Sequence, residues 1–220
     1  MRSSIDKFSV TTQDKTQSAL EKRIEELRES IRRSSPFASS EKTSSLYTEI
    51  DPKRGEFRLA LWDSPVVITF PELVAYNSQA VALSTAYQGL LTYYFAQANG
   101  FPLSGRWVSY ADLPGGRTYA PAFQGYSGDK LAKVFQLDVN RFEKACLKAG
   151  GAYLEFGEVS FIFPALPRVP LVVTYHPGED EFPSSCQILF DSAVENYLPV
   201  EVCAILASML TGRIISSNNS

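Results

Sequence analysis

A single histidine, His176, serves all 220 residues, in a loop written Tyr175-His-Pro-Gly-Glu-Asp-Glu-Phe182. Ser-His-Asp hydrolysis therefore has one candidate base in a proline-bounded setting, and no Gly-x-Ser-x-Gly elbow presents a nucleophile. Cysteine is also scarce. The three are Cys146, Cys186 and Cys203, far apart and each among apolar neighbours, and the first 145 residues hold none. Tetrahedral zinc coordination needs more His and Cys than the His176 loop supplies. Free thiols in apolar surroundings read as small buried hydrophobes in a reducing compartment. Near the N-terminus there is no apolar stretch of signal-peptide type, and nowhere do eighteen uninterrupted apolar residues occur. The expectation is a cytoplasmic chain with no membrane partner.

Excess charge is missing too. The formal net charge is −3, too small to argue for a polyanionic partner. Residues 1–45 carry nine Lys/Arg and seven Asp/Glu, which leaves twelve against seventeen for the rest, a body at −5. Phosphate binding needs clustered positive charge, so nucleic acid is excluded as a partner class. What remains is an ordinary globular composition, 45% hydrophobic and 12% aromatic. A chain of this length builds its core without staples.

Residues 14–33 read as a charged amphipathic helix. Leu20, Ile24, Leu27 and Ile31 repeat at four, three and four, and Glu, Lys and Arg occupy the rest of the cylinder. About two heptads are short for an independent coiled coil, so packing on its own domain is favoured over self-association or a partner helix. Residues 34–45, rich in Ser with no periodicity, read as a linker. The domains expected are thus 1–45 helix plus linker, 46–215 one α+β domain, and a mobile 216–220 tail.

In the body, Phe57, Leu59 and Leu61 alternate with Arg58, Ala60 and Trp62. After Asp63-Ser64-Pro65, Val66, Ile68 and Phe70 alternate again, as in a hairpin. Residues 79–98 carry a wide apolar helical face, with Ser78 as N-cap and Asn99-Gly100 as stop. A second helix over 139–149 starts at Asp138 and ends at Gly150-Gly151. Ala152 to Phe163 returns to period two around a Gly157-Glu158 turn, and Pro164 to Pro170 reads as a link. Leu171–Tyr175 and Gln187–Phe190 read as strands, and Pro199 opens a helix ending at Gly212. Strands cluster with strands, which predicts an α+β fold: a mostly antiparallel or mixed sheet covered by helices.

Three stretches carry a resemblance. They are Gly105-Arg-Trp-Val-Ser-Tyr-Ala-Asp-Leu-Pro-Gly-Gly116 with Tyr119 and Phe123, Pro164-Ala-Leu-Pro-Arg-Val-Pro-Leu171, and Ile188-Leu-Phe-Asp191 through Tyr197-Leu-Pro199. With the helix before them they resemble the uncharacterised "domain of unknown function 3786" family of mostly anaerobic bacteria and archaea, over roughly residues 56–212. Some of its members look fused to an iron–sulfur module of the kind seen in corrinoid methyl-transfer proteins. The resemblance implies anaerobic one-carbon or corrinoid metabolism; this chain itself lacks that module.

Candidate site residues follow, each beside its plainer role. Gly115 and Gly116, with Arg106 or Arg117, offer backbone N–H groups and charge to an anion, but their spacing fits neither a phosphate loop nor a dinucleotide fingerprint, and a structural turn is favoured. Trp107, Tyr110, Tyr119, Phe123 and Tyr126 either wall a pocket for a planar ligand or fill the core. His176 with Glu179, Asp180 and Glu181 offers acid–base or hard-cation chemistry, though three consecutive acids in a Pro/Gly loop are normally solvated. Asp191 reads as a ligand contact or, more simply, an N-cap. Arg168 reads as an anchor for Asp191 or for a ligand carboxylate.

The expected function is a non-catalytic ligand-binding or accessory domain. Its pocket would lie between residues 105–126 and the 176–182 loop, for a planar, corrinoid or other tetrapyrrole ligand. The alternatives are an enzyme using Asp112, Glu179, Asp180 and Asp191, and an interaction module, with a homo-oligomer possible, working through the N-terminal helix.

Overall fold

The computed structural model describes residues 21–178 and 183–218. The fold is α+β, with antiparallel strands in two sheets rather than one. The first is a meander of β1 (Leu46–Asp51), β2 (Arg54–Leu61), β3 (Ser64–Phe70) and β4 (Ala75–Tyr76), in that order. Its β2–β3 hairpin buries Phe57, Leu59, Leu61, Val66 and Ile68, as the alternation requires. The turn falls one residue earlier than expected, on Trp62 and Asp63. Both have positive φ (52° and 61°), the conformation that suits tight two-residue hairpins.

The second sheet runs β5 (Trp107–Ser109), β9 (Ser185–Asp191), β8 (Val169–His176), β7 (Val159–Leu166), β6 (Ala152–Tyr153). The stretch from Pro164 to Pro170, expected as a link, is instead the tip of the β7–β8 hairpin. Pro164 faces Pro170, and the ladder shifts register between Pro164 and Leu166, an irregularity of the kind that lets a sheet hold proline. From this tip the Ala165 carbonyl accepts the Trp62 N–H at 3.1 Å, tying one sheet to the other.

Residues 21–32 are helical (α1), and Ile31, 3% exposed, enters the core beside Ile68, Leu73 and Leu91. The Arg32 guanidinium donates to the Pro71 carbonyl at 2.9 Å. The end of this helix thus packs on the body through Ile31, while Ile24 and Leu27 are half-buried; its expected start over 14–20 lies outside the described residues. The expected linker contains a helix, α2 (Pro36–Thr43). Its inward face is Ser39, Ser40 and Thr43, invisible to an apolar-period search. The Thr43 hydroxyl bonds back to Ser39 O, and the Tyr94 hydroxyl donates to Thr43 O at 2.8 Å.

Helix α3 (Thr85–Gln97) begins six residues later than residue 79. The Asn77 side-chain oxygen captures the N–H groups of Gln79 and Val81, and Leu83 N–H returns to Ala75 O, so 77–83 is held as a turn. Short helices α4 (Ala120–Tyr126) and α5 (Gly128–Phe135) lead to α6 (Val139–Lys148), where the Asp138 carboxylate caps Arg141 N–H as expected. Helix α7 (Val200–Asn218) does not stop at Gly212. That glycine faces open space, so nothing there requires an end, and the 216–218 part of the expected tail is helical. By length and hydropathy α7 is the one described helix able to cross a membrane. Its stripe of Val202, Cys203, Leu206, Ala207, Leu210 and Ile214 is buried in the core.

Candidate functional site

Strand β5 decides where the ring-rich segment points. Its pairing with β9 sets Trp107 opposite Asp191 and Ser109 opposite Leu189. The chain then turns inward through Tyr110. Tyr110 and Phe123 stack at 4.2 Å with planes 5° apart, each 4% exposed, and Phe123 also packs on Phe190. These two rings are core. Trp107 is half-buried, while Tyr119 and Tyr126 are exposed. The five aromatics therefore do not converge on one space.

The two glycines form a structural turn. Gly116 N–H donates to Leu113 O at 2.8 Å, and a side chain on Gly116 would drive into the Tyr110 carbonyl. Gly115 takes φ +81°, a conformation glycine adopts without strain. Arg106 and Arg117 point outward, exposed.

Asp191 is 2% exposed at the end of β9. Its Oδ1 accepts the N–H of Ser104 (3.0 Å), the Ser104 hydroxyl (2.8 Å) and the N–H of Ala193 (2.8 Å), while Oδ2 accepts Gly105 N–H (2.8 Å). Burial acts to raise its pKa, but the donors on Ala193, Ser104 and Gly105 outweigh it and hold the carboxyl below its ordinary value. Asp191 is an N-cap, as the simpler reading had it, and it also pins the 104–105 loop. Arg168 does not anchor it: the Arg168 Nε donates to the Ser44 hydroxyl at 2.6 Å.

Asp112 is likewise committed. Hydrogen bonds from the Ser109 hydroxyl and N–H hold its carboxyl low, with the Arg117 charge adding to them. His176 stands on the surface beside Glu158, at 3.3 Å. It ends β8, whereas Arg168 immediately precedes the start of that strand. Eight extended residues separate them by about 25 Å, and Asp191 lies towards the Arg168 end. One pocket cannot take both. Glu179, Asp180 and Glu181 lie outside the described residues. Among the described residues no three His, Cys, Asp or Glu group to hold a metal ion. Cys146, Cys186 and Cys203 are all buried, and burial pushes each thiol up.

Open space occurs elsewhere, over the start of α7. One cleft of ≈ 480 Å³ lies between Arg23 and Leu27 of α1, Tyr93, Ala96 and Gln97 of α3, and Pro199, Glu201 and Val202. A second of ≈ 440 Å³ continues from Gln97, Pro199 and Glu201 to Leu113, Pro114, Val194 and Leu198. Sharing three residues, the two are lobes of one groove. Gln97 is fixed there by donating to Glu195 O at 2.8 Å, and Asn99 by donating to Asn196 at 2.7 Å. The sequence signal for this groove lay in Leu113-Pro114 and Tyr197-Leu-Pro199, distant in sequence and adjacent in the fold.

Two antiparallel sheets packed with helices define an α+β protein. The chain belongs to the family described as Domain of unknown function (DUF3786), whose pattern matches residues 40–213. No curated protein and no solved structure matches it.

Proposed function

We propose that this protein is a non-catalytic accessory domain that holds a short polypeptide segment in the groove over the start of α7. One observation carries this: two open lobes meet across Gln97, Pro199 and Glu201. The walls are mixed: apolar side chains (Leu27, Tyr93, Ala96, Leu113, Val200) alternate with polar groups (Arg23, Gln97, Glu195, Asn196, Glu201) in about equal measure, which suits a polypeptide that offers both backbone polar groups and apolar side chains. A small-molecule pocket encloses most of its ligand, whereas this groove is open along its length and suits an extended or helical chain. The N-terminal helix supplies one wall, which favours an interaction module over a tetrapyrrole pocket.

Selection from a displayed random-peptide library tests the proposal on the intact chain. Enriched peptides are expected to lose about tenfold in affinity, ~1.4 kcal/mol, when Tyr93→Ala and Leu27→Ala are combined. Thermal melts run alongside show whether the variant stays folded. Failure to enrich any peptide, or affinities indifferent to the double change, would count against it.

A further inference from the structure

Helix α6 presents Arg141, Lys144 and Lys148 at i, i+3 and i+7, on one face. Together with Asp138, Asn140, Ser217 and Asn218 they line a second groove, ≈ 490 Å³, between α6 and the last turn of α7. Neither lysine has an acidic partner among the described residues. Arg141 is steered by donating to the Asn218 side chain at 2.7 Å and by lying over the Phe135 ring. The one carboxylate that lines the groove among the described residues, Asp138, is turned into the helix cap on Arg141 N–H. Glu143, the only acid of α6, does not line the groove. A local excess of positive charge thus sits on a body whose overall balance is negative.

We propose that this groove docks an acidic polypeptide segment, at a site separate from the groove over the start of α7. The three cations are strung over about 10 Å of helix axis rather than converging on a point, so they match a row of carboxylates better than one compact anion. No aromatic ring lines the groove to stack a nucleobase, and three cations are few for a phosphodiester strand. Charge complementarity therefore selects the occupant.

Fluorescence anisotropy of a labelled hexaglutamate peptide with the full chain at low salt tests this. The Lys144→Glu/Lys148→Glu pair is expected to weaken binding about tenfold, and Lys144→Gln/Lys148→Gln to weaken it less, in the same direction. The Lys130→Glu/Lys133→Glu pair on α5 changes net charge equally and is expected to leave affinity within about twofold. The proposal is overturned if wild type shows no binding, or if the α5 pair weakens it as much as the α6 pair. It is also overturned if hexathymidylate or inorganic triphosphate binds as tightly as the peptide.

Discussion

Ser104 gives Asp191 two hydrogen bonds, from its backbone N–H at 3.0 Å and its hydroxyl at 2.8 Å, through one carboxylate oxygen. That pair fixes the exposed loop carrying Phe101 and Leu103 to the end of a central strand. Replacing Asp191 by Ala removes the acceptor of three N–H groups, one on buried Ala193 and two on exposed Ser104 and Gly105, at a cost of about 1–3 kcal/mol. Denaturant unfolding measures it, and a loss below about 0.5 kcal/mol would show the network to be incidental. The pH dependence has a definite sign. A carboxyl held low in the folded state stabilises above its unfolded pKa of about 3.9 and loses that contribution as pH falls below it. Wild type should therefore lose its advantage over Asp191→Asn as pH drops from about 5 to 3.

Gly116 and Gly115 separate the turn from an anion loop. Gly116→Ala forces a methyl group into the Tyr110 carbonyl, so the backbone must move, costing about 2 kcal/mol or more. Gly115→Ala meets only Val200, at 3.6 Å, and carries mainly the left-handed penalty of about 1 kcal/mol. Thermal melts of the two variants give the order. Equal melts would mean the Gly116 contact is not as described.

Phe123 and Tyr119 were equally eligible as pocket walls by sequence, yet one is 4% and the other 64% exposed. Phe123→Ala removes the ring that bridges Tyr110 and Phe190, which costs about 3–5 kcal/mol. Tyr119→Ala changes stability by no more than about 0.5 kcal/mol. Chemical denaturation of both decides it; a neutral Phe123→Ala would return that ring to the list of ligand-facing groups.

That pair also shows where legibility stopped. Helix α6 was readable because Phe142, Ala145 and Cys146 lie on one stripe between a capping Asp138 and a Gly pair, so local and tertiary signals agree. Helix α2 was not, because its buried face is Ser and Thr: the Thr43 hydroxyl bonds back to the Ser39 carbonyl and to the Ser45 hydroxyl, and the Ser40 hydroxyl donates to the Ser45 carbonyl. The start of α3 was displaced by one side chain, Asn77, which captures N–H groups that a helix would otherwise use. Pro164 and Pro170 resembled a link, since only the register of the finished sheet shows that they face one another. The same limit applies to the site. Alternation shows that a ring has two sides to choose from, but the inward turn after β5 chose, and no window of sequence contains β9. The groove over α7 joins residues from α1, α3, Leu113-Pro114 and Pro199, so it exists only once all four are packed.

The cysteines carry the last prediction. Cys146, Cys186 and Cys203 are each 1% exposed or less, and burial pushes every thiol pKa up. The thiolate is the reacting species, so a disulfide reagent near pH 8 should label none of the three in the native protein and all three in denaturant. Sub-denaturing urea should speed labelling in step with the unfolding equilibrium, because opening is the route to the sulfur. A raised thiol stabilises the fold below its unfolded pKa of about 8.5 and loses that contribution as pH climbs past it. Stability should accordingly be flat towards pH 8 and fall above about pH 9. Fast stoichiometric labelling of even one thiol in the folded chain would contradict the packing of the element that carries it, with Cys203 reporting on α7, Cys146 on α6 and Cys186 on the interior strand β9.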